Sequence, residues 1–254
     1  MTDRGGESGL PRSIEVAWGL RDPAVKGPKR ALSLGAIVNA AVKIAESDGL
    51  GAVSMSRIAG ELKASTMALY RYVSAKDELL PLMVDAAFGP PVPAPTPDIS
   101  WRAGLEHWSW AYLRMLRAHP WVVQVPISGP PATPNQVAWA EQGLSFLRDT
   151  ELGPAQKMST VLLLAGLVRN DAALSVAYES FAQPGSDPSA MMLSYRHLLE
   201  RLTGPERFPE ITAVIQAGVF DRPDEPDAEF GFALERVLDG VDVLERAGRE
   251  RGSS

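Results

Sequence analysis

Thr66, Met67, Tyr70 and Arg71 are the side chains of this sequence best suited to specific chemistry. A hydroxyl, an apolar tip, a phenol and a guanidinium at helical spacing are groups that read base edges and phosphates in a DNA major groove. They fall in the segment SMSRIAGELKASTMALYRYV, residues 54–73. Its apolar residues recur as two short stripes, Ile58, Ala59 and Leu62, then Leu69 and Val73. Between them Lys63-Ala64-Ser65 is long enough only for a sharp reversal, with Ser65 suited to cap the next helix. The pattern is that of a helix-turn-helix with the four polar-face residues turned outward. Any helical hairpin with a polar face reads the same way, so the surrounding sequence has to decide.

Elements that would hold such a hairpin flank it on both sides. Ser33 can cap a helix whose apolar positions are Leu34, Ile37, Val38, Ala41, Ile44 and Ala45, one buried stripe. Asp48-Gly49 supplies the stop, glycine accommodating a left-handed turn residue. Downstream, Ser74-Ala75-Lys76-Asp77 resembles a capping box opening a helix through Phe88. Charge separates in the same place. From Lys26 to Lys76 there are eight cations against three anions, a net of +5, which leaves −11 for the rest of a chain whose total is −6. A basic head on an acidic body suits a local nucleic-acid contact; chance clustering on a solvated face gives the same count.

The whole chain bounds the remaining possibilities. At 254 residues and 45% apolar it can build one large or two small cores. It has no cysteine, which excludes disulfides, thiolate metal sites and cysteine nucleophiles. The longest uninterrupted apolar run, residues 161–168, is far shorter than the roughly 20 residues of a membrane span. The N-terminus lacks the apolar stretch of a signal peptide. A cytoplasmic protein with no membrane partner is expected. Residues 1–32 read as a largely mobile arm, in which Ile14, Val16 and Trp18 can dock and Lys26, Lys29 and Arg30 can track phosphates. The stretch GPPVPAPTP, residues 89–97, is a linker. Beyond it helices are expected over 101–119, 135–152, 154–182, 189–202, 210–218 and 227–247, with no alternation that would mark a strand. The fold class is therefore all-α: a three-helix DNA-binding domain over 33–88 and a larger helical domain over 98–248.

Within 33–88 the resemblance is specific. Ile37, Ala40-Ala41, Asp48-Gly49-Leu50, Ser54, Ile58-Ala59, Leu62, the string from Ala68 to Val73 and Lys76 to Leu80 resemble the DNA-binding domain of the TetR (tetracycline-repressor) family of transcriptional regulators. Phe230 to Gly240 is similar to the last helix of tetracycline-repressor-like C-terminal domains. The resemblance implies recognition-helix contacts from Ser65, Thr66, Met67, Tyr70, Arg71 and Tyr72. It places a phosphate-binding lysine at Lys76 and backbone contacts at Ser54 and Arg57. It also implies a homodimer on a palindromic double-stranded operator, and a small-molecule effector that releases it. Two positions depart from the pattern: Ala64 in the turn is smaller than usual, and Pro81 lies inside the fourth helix, where it removes a hydrogen bond.

An effector site would lie among helices of the larger domain. Trp108, Tyr112 and Met115 share one side of its first helix, and Trp139, Phe146, Met158 and Leu162 are possible wall residues. His107, Gln142 and Asn170 are the polar groups that could orient a ligand. Each apolar member equally suits an ordinary core. The rival function is a helical enzyme or carrier with an incidental hairpin. Against it, His107, His119 and His197 are scattered without metal-ligand spacing, and there is no Gly-rich phosphate loop or serine-nucleophile motif. No catalytic role and no cofactor are expected. A repressor and an activator read alike at this level.

Overall fold

Ser33 opens the first long helix as its sequence predicts: its hydroxyl accepts the Ala36 N–H at 3.1 Å. A computed structural model describes residues 11–20, 32–127, 129–181, 188–221 and 227–252. Among them every regular element is helical. A short helix α1 (Arg12–Ala17) precedes the head, which comprises α2 (Leu34–Asp48), α3 (Met55–Glu61), α4 (Thr66–Leu69) and α5 (Lys76–Phe88). Gly49, at φ 82°, ends α2 in a conformation that favours glycine. Ile37, Ala41, Ile58, Leu69, Leu79 and Met83 are fully buried and form the core of the head.

The body comprises α6 (Trp101–Ala118), α7 (Pro134–Phe146), α8 (Pro154–Phe181), α9 (Pro188–Leu202), α10 (Pro209–Gln216) and α11 (Ala228–Gly252). Helices α6, α7, α8 and α11 pack around Leu105, Leu113, Leu116, Leu147, Leu164 and Leu238. Helix α6 comes so near α7 that a Cβ at Gly104 would lie 2.4 Å from the Phe146 ring. A 3-10 turn at Pro120–Gln124 follows α6. Arg169 of α8 secures it by donating to the carbonyls of Val122, Val123 and Val125.

Several expectations need correction. The helix expected to reach Leu152 stops at Phe146, and Leu147 and Leu152 are buried from the turns that follow. The carboxylate that reaches back across the start of α5 is Glu78, not Asp77. It accepts the Ser74 N–H at 2.6 Å, because the helix begins at Lys76, one residue later than a Ser74 cap requires. Within the arm, α1 docks as its apolar residues allowed, with Ser13 and Ile14 buried against the head while Trp18 and Leu20 stay exposed. Lys26, Lys29 and Arg30 lie outside the described residues. Residues 154–179 of α8 are long and apolar enough, with a hydropathy of 1.4, to cross a membrane. An uninterrupted-run criterion misses this because Arg169 and Asp171 interrupt the helix. One side of α8 packs on α6, α7 and α11, while most of the stretch is not buried.

Head and body are fastened directly. The buried Asp85 of α5 sits at the start of α7, where its carboxylate accepts the backbone N–H of Asn135 at 2.8 Å and of Gln136 at 3.2 Å. The Asn135 amide also donates to the Asp85 carboxylate and carbonyl, at 3.1 and 3.0 Å. A carboxylate is favoured at this helix end by the unpaired N–H groups and the dipole. His119, after α6, lies 3.0 Å from Glu46 of α2.

Candidate nucleic-acid interface

Two serines build the reading surface from within. Ser54 caps α3 by accepting the Arg57 N–H, and Ser65 caps α4 by accepting the Ala68 N–H, both at 3.3 Å. Lys63, between them, adopts φ 50°, the left-handed conformation that makes the reversal tight. Leu69 is driven fully into the core, which fixes the rotation of α4. Regular helix ends at Leu69 rather than running to Val73, and residues 70–73 finish the turn through Tyr72 and Val73 N–H bonds to the Leu69 carbonyl.

That rotation turns Met67, Tyr70 and Arg71 outward, with Thr66 half-buried beside them. Met67 is 74% exposed, far more than the other large apolar side chains of α2 to α5. A side chain of that kind in a folded head is suited to a thymine methyl. Lys76 stands half-buried at the first turn of α5. Besides the two capping serines, two further proposed contacts are already engaged. Arg57 is paired with Asp48 on the surface, and the Tyr72 hydroxyl donates to the Leu32 carbonyl at 3.1 Å. An exposed ion pair is weak enough to exchange for a phosphate; Tyr72 is half-buried and ties the entry to α2. Sequence reasoning named Asp48 and Glu78 only in the helix stop and the family resemblance and did not single out Asp85, because the partners of all three lie outside the helices that carry them.

The chain has counterparts among known proteins. Residues 37–83 match the model of the bacterial regulatory proteins of the tetR family, and residues 93–244 match the tetracyclin repressor-like C-terminal domain. The chain belongs to the TetR family. It is 35% identical, over its whole length and 92% of the other protein, to the HTH-type transcriptional repressor DrrR1 of Streptomyces coeruleorubidus. It is 32% identical, over 65% of its length and 68% of the other's, to an HTH-type transcriptional regulator of Saccharopolyspora erythraea. Among solved structures, ActR of Streptomyces coelicolor in complex with actinorhodin superimposes with a TM-score of 0.72 at 26% identity, covering 84% of this chain and 98% of that one. As a TetR-family transcriptional regulator, the chain carries a DNA-binding helix-turn-helix in its head.

In the body of this TetR-family chain the residues singled out for an effector separate into two groups. Trp108, Tyr112 and Trp139 are buried and join Phe88 in one aromatic cluster, with ring centroids 5.2–6.2 Å apart. The indole N–H groups of Trp108 and Trp139 donate to the carbonyls of Trp139 and Gly89. Burial raises the Tyr112 phenol above its ordinary pKa, opposed by the Arg169 charge. Met115 is buried nearby in sequence, Phe146 lies over Gly104, and Gln142 donates to the Val92 carbonyl of the linker. His107 keeps a buried Nε2 with no hydrogen-bond partner. Met158, Leu162 and Asn170 face outward on α8 and do not join the cluster. Because α8 is apolar on several sides, its sequence pattern does not say which side looks inward.

Proposed function

We propose that this TetR-family regulator is a repressor that binds a palindromic operator as a homodimer and is released by a small-molecule effector. The observation that carries the DNA part is the outward Met67, Tyr70 and Arg71 on a turn whose rotation is fixed by buried Leu69. Similarity to DrrR1, a repressor, supports repression rather than activation. Ser54, Arg57, Ser65, Thr66, Tyr72 and Lys76 complete the contact surface, with Arg57 leaving Asp48 for a phosphate.

A second copy is expected on α8 and α11. Outward α8 residues Leu162, Leu163, Leu174 and Tyr178 are all at least 45% exposed, as are Phe232, Val243 and Leu244 of α11. A groove of about 540 Å³ runs between the two helices, lined by Leu163, Val237, Val241 and Leu244 among others. An apolar surface of this kind marks an association site, and a two-fold dimer presents two reading heads to grooves roughly 34 Å apart. Similarity to ActR, crystallised with actinorhodin and with (S)-DNPA, supports a small-molecule effector. The buried His107 Nε2, which has no hydrogen-bond partner, is one group that such a ligand would satisfy. Such a ligand releases DNA by its preference for one arrangement of the heads, typically about 1–3 kcal/mol. No catalytic step is part of this reading, and its setting is the cytoplasm. The test is selection of bound sites from random duplexes: a two-fold symmetric motif is expected, and an asymmetric motif or no enrichment would defeat the reading.

A further inference from the structure

Helix α1 lies ahead of both regions matched by the family models, which begin at residues 37 and 93, yet it is bonded to head and body alike. At one end Ser13 donates to the Glu78 carboxylate from both its hydroxyl and its backbone N–H. The same carboxylate holds the Ser74 N–H and so closes the turn that leads into Lys76. At the other end the Trp18 indole N–H donates to the Ala132 carbonyl at 2.7 Å. Ala132 lies three residues before Asn135, whose N–H groups clasp Asp85 of α5. The bonds therefore close a circuit: Glu78, α1, Ala132, Asn135, Asp85 and back along α5.

Six residues are far too few to hold a helix in water unaided, so α1 is ordered by its docking. Hydrogen bonds to a carboxylate are among the stronger ones available for that purpose. We propose that α1 is a brace that fixes the DNA-reading head on the effector body, with Ser13, Glu78 and Trp18 acting as positioning residues for operator binding. The proposal rests on the reading of the head as the DNA-contacting part. A shift of residues 132–136 reaches the start of α5 through α1 as well as through Asp85, and the turn before Lys76 is held from both directions. Coupling of this kind requires a contiguous set of bonds, each of which can be cut singly.

The experiment uses the full chain with Ser13→Ala or Trp18→Phe, and Ser13→Thr as the conservative control. Amide hydrogen exchange is followed at both ends of the circuit, together with affinity for the selected duplex. A brace makes the effect cross over: Trp18→Phe speeds exchange at the Ser74 and Glu78 amides, and Ser13→Ala speeds it at Asn135 and Gln136, each by about 3–10-fold. Operator affinity falls by about 3–10-fold in both, with Ser13→Thr restoring it. Exchange changes confined to the substituted end, or operator affinity equal to the parent's in both variants, would overturn the brace. A parent chain that binds no duplex would defeat the DNA reading instead, and the exchange pattern would still decide whether the two ends are mechanically joined.

Discussion

The head and the body dispose of their apolar residues in opposite ways. In the head, Ile37, Ile58, Leu69, Leu79 and Met83 close a core within one chain, and the large apolar side chains left exposed are Met67 and Tyr70, both on the reading surface. The body leaves two whole helix faces uncovered, on α8 and α11. A face of that extent is costly in water, whereas two side chains beside a guanidinium are a contact surface. The head thus closes its own core and leaves exposed the side chains proposed to meet DNA, whereas the body leaves exposed the faces on which a second copy is proposed to dock.

Cutting the head's core should have the largest effect. Leu69→Ala is expected to cost about 2–5 kcal/mol, read by denaturant unfolding, and to abolish DNA binding through loss of the α4 rotation. Leu163→Glu should leave the single chain folded but halve its mass in sedimentation. Operator affinity should then fall on the order of 100-fold, since one head meets only one half-site. A variant that stays dimeric would move the interface elsewhere. Arg71→Ala should weaken specific binding by about 1–3 kcal/mol if the guanidinium grips a base, seen as a loss not shared by random duplex. Lys76→Ala should weaken all sequences alike and reduce the salt slope by about one.

The smallest expected effect is a pH dependence at the start of α5. Burial pushes the Glu78 carboxyl up, but hydrogen bonds from Ser13 and Ser74 outweigh it and hold the pKa below its ordinary value. A pKa depressed on folding contributes stability above the unfolded value and loses it as pH falls through the folded one. Glu78→Gln should therefore be less stable than the parent at neutral pH, with the gap closing on acidification below about 4.3. Unfolding curves at several pH values would check it.

How much of this was legible in the sequence differs between the two regions for the same reason. In the head, caps and stripes agree: Ser33, Ser54 and Ser65 each begin a helix, and one apolar side per helix points inward. The body gives no such agreement. Residues 147–152 contain good helix formers, yet tertiary packing takes Leu147 and Leu152 into the core from turns. Helix α8 has apolar residues around much of its circumference, so Met158 and Leu162 read as inner walls when they face outward. The ties across the molecule, Asp85 to Asn135 and Trp18 to Ala132, join residues 50 and 114 positions apart and leave no local signature.

Methionine oxidation compares the two regions in a single experiment. Met67 on the reading surface and Met158 on α8 are 74% and 43% exposed in one chain, and peroxide converts such thioethers to sulfoxides. With the selected duplex added to saturation, oxidation of Met67 should slow about tenfold or more while that of Met158 stays as it was, because only the first is buried by DNA. Equal rates at Met67 with and without bound duplex would contradict the account at its centre.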